Sequence, residues 1–294
     1  MWGRKNLTFK ENLGLVYFVL PFISIVENKV SLICSILLGK SEYKIKIKNT
    51  IIKIPRNRFN SLRDLLACLT YSISYSFDSS GNLEILFDEN SKFKISLNEL
   101  SLEDINLLEL LHFGSKHCAN FLNDASFPDI RKQTYRIISE NGKKIIITSN
   151  GIRFFLDSIH AGNTIIETFV REIHSINPRI DWNNKVVVDV GAECGDTPLY
   201  FASMGANVFA FEPLKKHFEF FKKNMSLNPT LSEKITPINA AIGKDEQLKF
   251  YVSDDNDESG SLSASFVSNK QGKNFKYELV DGYKLETARK KFGI

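Results

Sequence analysis

The stretch 186-VVVDVGAECGDTPLYFA-202 decides how this chain is read. Lys185 to Val190 opens on its lysine and continues as an apolar, β-branched run broken only by Asp189, the composition of a parallel strand covered on both faces. Gly191-Ala-Glu193-Cys-Gly195 follows, and Leu199, Phe201 and Ala202 then recur at helical spacing. Strand, glycine turn and helix make the first βα unit of an open α/β sheet. Glycines let the backbone turn tightly and approach a ligand, and the helix N-terminus aims its free N–H groups at it. Asp196 or Thr197 is expected to cap that helix, with Pro198 in its first turn.

Working toward the C-terminus, a second strand over Asn207–Phe211 ends in Glu212-Pro213. Glu212 lies 21 residues after Gly191, where a carboxylate at a strand tip accepts hydrogen bonds from ribose hydroxyls. A helix over Lys215–Leu227 places Phe218, Phe221 and Met225 on one face as core. A third strand, Lys234–Asn239, leads to Ala240-Ala241, small residues beside which an adenine ring fits. Asn239 reads equally as a base-edge partner or a turn residue. The glycine spacing is G-x-x-x-G, whereas a dinucleotide pyrophosphate calls for G-x-G-x-x-G. S-adenosylmethionine (SAM) has no phosphate, so a turn that only seats its methionine part suffices. The residues therefore point to SAM over NAD.

The segments DVGAECGDTPLYFASMGANVFAFEP, FKKNMSLNP and INAAIGKDEQLKFYVS resemble the FkbM-type SAM-dependent methyltransferases. NTIIETF upstream and SGSLSASF downstream resemble that family's pattern too, and the match spans about residues 160–294. The resemblance implies α/β architecture: a partial Rossmann-like parallel sheet of the class I methyltransferase type over 151–294, preceded by a small, variable α+β region over 1–150. It implies that Asp189, Gly191, Glu193 and Gly195 line the methionine and ribose side, with Ala192 and Thr197 in the same turn. Glu212 and Pro213 would meet the ribose, and Asn239 and Ala240 the adenine. It also implies O-methylation of a sugar, glycan or related small-molecule hydroxyl. No catalytic base and no metal ligand is nominated.

In the family, a segment like Lys284–Ile294 leads into a fourth strand, and here the sequence reaches Ile294 first. The expectation is a domain truncated after three core strands, its remainder absent from this sequence or supplied by a partner chain. The competing expectations are a shortened, non-catalytic relative acting as a binding or assembly module and, less favoured, an NAD-dependent oxidoreductase.

The rest of the chain sets limits. Of 294 residues 43% are hydrophobic and 24% charged, a globular composition, and the net charge of +4 comes from interspersed signs. No basic block marks a nucleic-acid partner. Cys34, Cys68, Cys118 and Cys194 form no C-x-x-C pair and are too few for a disulfide framework, which suits a reducing cytoplasm. Leu13–Val26 is an apolar run, interrupted by Pro21 and shorter than the ~20 residues of a spanning helix. A buried or surface-docked helix is expected there, and a membrane anchor through residues 13–38 is the less favoured reading.

Tyr43–Lys48 and Thr50–Ile54 alternate as hairpin arms, and Leu83–Phe87 and Phe93–Leu97 read as strands. Asn60-Ser61 and Ser101 are expected to open helices over Leu62–Leu69 and Leu102–Leu111. His112 and His117, near Cys118, read as incidental surface residues. Thr164 to Ile173 reads as a helix, Glu246–Val252 as an extra strand and Asp254–Glu258 as an acidic loop.

Overall fold

The computed structural model describes residues 9–87, 92–97, 100–120, 135–160, 162–171, 173–174, 180–253 and 275–294. The SGSLSASF segment and the Asp254–Glu258 loop lie outside these, as do the side chains of His117 and Cys118. The chain divides into two compact units, Met1–Phe127 and Pro128–Ile294.

The first unit opens with α1 (Phe9–Val19), a 3-10 turn (Leu20–Ile25) and α2 (Lys29–Leu37), followed by the hairpin β1 (Glu42–Ile47) and β2 (Thr50–Pro55). Lys48 and Asn49 both take left-handed φ, 44° and 67°, the two-residue turn whose twist suits a hairpin. That turn pairs Ile47 with Thr50 and sends Tyr43, Ile45, Ile47, Ile52 and Ile54 inward. Lys44, Lys46, Lys48 and Lys53 face out. Next come α3 (Phe59–Tyr71), the antiparallel sheet β3 (Ser74–Phe77), β4 (Leu83–Leu86) and β5 (Lys92–Ile95), and α4 (Leu102–Asn120).

Helix α3 begins at Phe59 without the expected Asn60-Ser61 cap, because a 3-10 turn over Arg56–Arg58 already carries the chain into it. Helix α4 runs nine residues past Leu111. Its start is a reciprocal cap: the Asp104 N–H donates to Ser101 Oγ at 3.1 Å, and Ser101 Oγ donates to Asp104 Oδ2 at 2.7 Å. His112 is not an incidental surface residue. Its Nδ1 lies 2.7 Å from Oδ1 of the buried Asp64, which also takes Arg63 Nη2 at 2.7 Å.

The second unit starts with an antiparallel sheet of β6 (Arg136–Glu140), β7 (Lys143–Ile147) and β8 (Arg153–Phe155), turned at Asn141-Gly142 with φ 50° and 76°. The sequence boundary near residue 150 set β6 and β7 apart from the α/β half of the chain. The structure instead keeps them with it, because β8 pairs with β7 while Asn228 holds both the N–H and the C=O of Arg153, at 3.0 and 2.8 Å. A π-helix (Gly162–Val170) leads on to β9 (Val186–Val190), α5 (Asp196–Ser203), β10 (Asn207–Phe211), α6 (Lys215–Ser226), α7 (Pro229–Ser232) and β11 (Ile235–Ile238). Strands β11, β10 and β9 form a parallel sheet in that spatial order. The two helical crossovers therefore step the chain one strand at a time away from β9.

The chain then runs through β12 (Ala241–Ile242), β13 (Gln247–Ser253), β14 (Phe275–Tyr283) and α8 (Leu285–Phe292). Strand β14 pairs antiparallel with β13 and parallel with β12. Helix α8 ends at Gly293, φ 72°, whose N–H reaches Arg289 O at 3.0 Å. Ala288 and Phe292 pack over Phe211, Ile238 and Ala240. The architecture is thus mixed α/β with several sheets, one of them wholly parallel.

The expectation that Lys185–Val190 is buried on both faces needs correcting, since its two end valines are exposed. Among the described residues only β10 pairs with β9, so β9 is an edge, with Val186 56% and Val190 58% exposed. The covered strand is β10, where Val208, Ala210 and Phe211 are buried. No helix among the described residues is long and apolar enough to cross a membrane.

Candidate functional site

The turn from β9 to α5 and the tip of β10 meet at one place. The N–H groups of Gly191 and Ala192 both donate to Phe211 O, at 2.8 and 3.0 Å, so the turn is laced to the end of β10. Gly191 (φ 96°) and Gly195 (φ 89°) take conformations L side chains rarely adopt. They serve different ends. A Cβ on Gly195 would run into the Phe221 ring, whereas Gly191 is exposed with nothing within 4 Å of that position. One glycine allows α6 to pack closely, and the other leaves the backbone open to a ligand.

Glu212 joins the two strand ends. Its Oε2 accepts the Glu193 N–H at 2.8 Å and its Oε1 the Leu214 N–H at 2.9 Å, with His217 Nδ1 3.7 Å from Oε1. Burial pushes its carboxyl upward in pKa, and those two N–H donors oppose the shift. The residue expected to meet a ligand is therefore also a structural clamp.

Around the clamp, carboxylates crowd. Burial, then the charges of Asp196 and Glu212, push Asp189 up to about 7 and Glu193 up to about 8. Asp196 is also raised by burial, against a 2.6 Å hydrogen bond from Thr168 Oγ1. Asp189 Oδ2 and Glu193 Oε1 are buried without a hydrogen-bond partner among the described residues, and His160 Nε2 stands 3.5 Å from the latter. Burial first, and then the charges of His160 and Lys216, lower His217 to about 4, leaving it neutral at pH 7. The balance of the site is anionic, and it can shed charge only by holding protons or receiving a cation.

The other expected residues have mixed placements. Gly195, not Asp196 or Thr197, occupies the cap position of α5, and no side chain caps it. Asp196 turns instead to Thr168, and Thr197 Oγ1 lies 3.4 Å from His174 Nε2. Asn239 Nδ2 donates to the carbonyls of Glu212 and Pro213 at 2.8 and 3.0 Å, so its amide donors serve the turn. Ala192 is buried, and Ala240 packs into the cluster beneath α8.

Two supports were missed in the sequence. Helix α6 buries His217, Phe221 and Asn224; of the expected face Phe221 is fully inward, while Phe218 and Met225 are half-buried. The fully buried Asn224 donates to Cys194 O in the glycine turn (3.0 Å) and to Ser158 O (3.2 Å). Its Oδ1 accepts the Phe155 N–H (3.1 Å) and Ser158 Oγ (2.9 Å). A lone Asn three residues after a core Phe was the available signal. The π-helix likewise presents Thr164, 3.4 Å from Cys194 Sγ, and Thr168 to the same turn.

No protein-family model matches the chain, and no curated protein matches it.

Proposed function

We propose that the second unit is part of a Rossmann-like, class I methyltransferase-type domain that binds SAM, and that the protein transfers its methyl group to a hydroxyl of a sugar, glycan or related small molecule. The observation that carries this reading is the open backbone at Gly191 beside buried carboxylate oxygens of Asp189 and Glu193 that lack a hydrogen-bond partner among the described residues. A SAM molecule brings an ammonium and a sulfonium against a single carboxylate, a net positive charge that suits this acidic site. The pyrophosphate of NAD would bring anions toward carboxylates, which is unfavourable. The strand order β11-β10-β9 also agrees with one half of a doubly wound sheet, whose ligands sit beyond the C-terminal strand ends.

When bound, SAM supplies an electrophilic methyl group. The chain's own residues supply alignment: Gly191 admits the ligand, Asp189 and Glu193 face its positive charges, and Glu212 fixes the turn and offers remaining lone pairs to ribose hydroxyls. The exposed outer edge of β9 supports a second element of the proposal. A further parallel strand, from additional sequence or a partner chain, pairs there and completes the acceptor side. The unpaired Cys34, Cys68 and Cys194 suit a reducing, cytoplasmic setting.

The test is calorimetric titration of the full chain with SAM and with NAD. SAM should bind and NAD should not, and Glu193→Gln should weaken SAM at least tenfold while leaving the melting temperature equal or higher. Equal SAM affinity in the variant would remove the electrostatic argument.

A further inference from the structure

The first 58 residues hold eleven of the chain's 38 Lys and Arg but only three of its 34 Asp and Glu, a local net charge of +8 against +4 for the whole chain. Part of that charge is arranged on one face. Lys44, Lys46, Lys48 and Lys53 project from the outer side of the β1–β2 hairpin, and Lys44 stands directly across from Lys53. Like charges in facing positions repel, so the pairing favours a counter-charge from outside. Lys46 is paired with Glu27 at 2.9 Å, and Lys48 donates to Tyr75 O at 3.2 Å.

An apolar surface adjoins this face. On α1 and the turn after it, Leu13, Tyr17 and Leu20 recur at helical spacing beside Phe18, all exposed, Tyr17 to 65%. On α2, which packs against α1, Val30 is exposed to 76%, and Leu38, just past its end, to 74%. The Glu27 N–H donates to Lys46 O at 2.8 Å, and Asn28 bonds the backbone of Lys44 and Lys46. These contacts bring the start of α2, with Lys29 and Val30, to the edge of the lysine-bearing strand.

We propose that this surface docks the protein on an anionic lipid bilayer, with Tyr17, Phe18, Val30 and Leu38 entering the interface and the hairpin lysines meeting the headgroups. Exposed aromatic and aliphatic side chains next to unneutralised lysines are the chemistry of interfacial attachment. Helices α1 and α2, of 11 and 9 residues, lie on a bilayer and do not cross it. The inference is independent of the cofactor reading, which concerns the other unit.

The experiment is co-sedimentation of the full chain with vesicles of phosphatidylcholine alone or with about one-third phosphatidylserine. Binding to the anionic vesicles is expected to exceed binding to neutral ones at least tenfold and to fall as salt rises. A Tyr17→Ser/Phe18→Ser variant should lose most binding to both. A Lys44→Glu/Lys53→Glu variant should lose the anionic preference. Circular dichroism and melting of each variant check folding, which exposed positions should leave intact. Absence of sedimentation overturns the proposal. So does binding that survives loss of Tyr17 and Phe18 and is displaced by single-stranded RNA, which would assign the lysines to nucleic acid.

Discussion

The two units place charge in opposite ways. The second gathers Asp189, Glu193, Asp196 and Glu212 around a glycine turn, where burial raises the pKa of every one of them. The first sets lysines on the open face of a hairpin, where water and salt screen them. A modest net charge of +4 hides both arrangements. Burial, more than sign, separates them: buried carboxylates wait for a proton or a cation, while the exposed lysines keep their contact with water.

This contrast breaks first where backbone and packing hold the acidic turn. Gly195→Val forces an unfavourable φ and drives a side chain into Phe221, so denaturant unfolding followed by Trp182 fluorescence should show a loss of about 4 kcal/mol. Trp182 packs edge-on against Phe201, 4.7 Å between ring centroids, and reports this unit. Asn224→Ala removes four hydrogen bonds, three of them buried, and should cost about 3 kcal/mol by the same measurement.

The acids themselves come next. Glu193 and Asp189 hold protons more tightly folded than unfolded, so their contribution is complete below their ordinary values of 4.5 and 3.8. It is lost as pH rises through about 8 and about 7. His217, at about 4 against an ordinary 6.5, works oppositely, its contribution disappearing as pH falls through that window. Above pH 6.5 only the acids act, and stability of the second unit should decline toward pH 8. Glu193→Gln should flatten that decline, a difference of about 2 kcal/mol in unfolding curves taken at the two pH values. The smallest effect belongs to the other side of the comparison. Lys44→Glu should change stability by under about 0.5 kcal/mol, and upward if anything, because it relieves the facing Lys53.

Three parallel strands and the glycine turn were legible because apolar runs, glycines and small connections coincide within a residue of their observed bounds. The edge position of β9 was not, since a buried and an exposed apolar strand are written alike. The inward face of α6 was only partly legible because aromatic residues fall on both of its sides, and His217 and Asn224 look like surface polar residues until their partners are known. The β6–β7 hairpin carries its own signal in Asn141-Gly142, the residue pair that suits a tight two-residue turn. Strand β14 alternates weakly because Tyr277 and Leu279 are exposed. At the site, Glu212 and Gly191 were legible from spacing. The crowding of Asp189, Glu193 and Asp196 was legible only once the turn brought them together.

The most direct test of that crowding is calorimetric titration of the full chain with SAM at pH 7.5 in two buffers of different ionisation enthalpy. A cation seated against Glu193 and Asp189 lowers their pKa values, so binding should release protons and the apparent enthalpy should differ between buffers, with NAD giving no heat of binding. No SAM binding, or SAM binding with no proton released, would contradict the account.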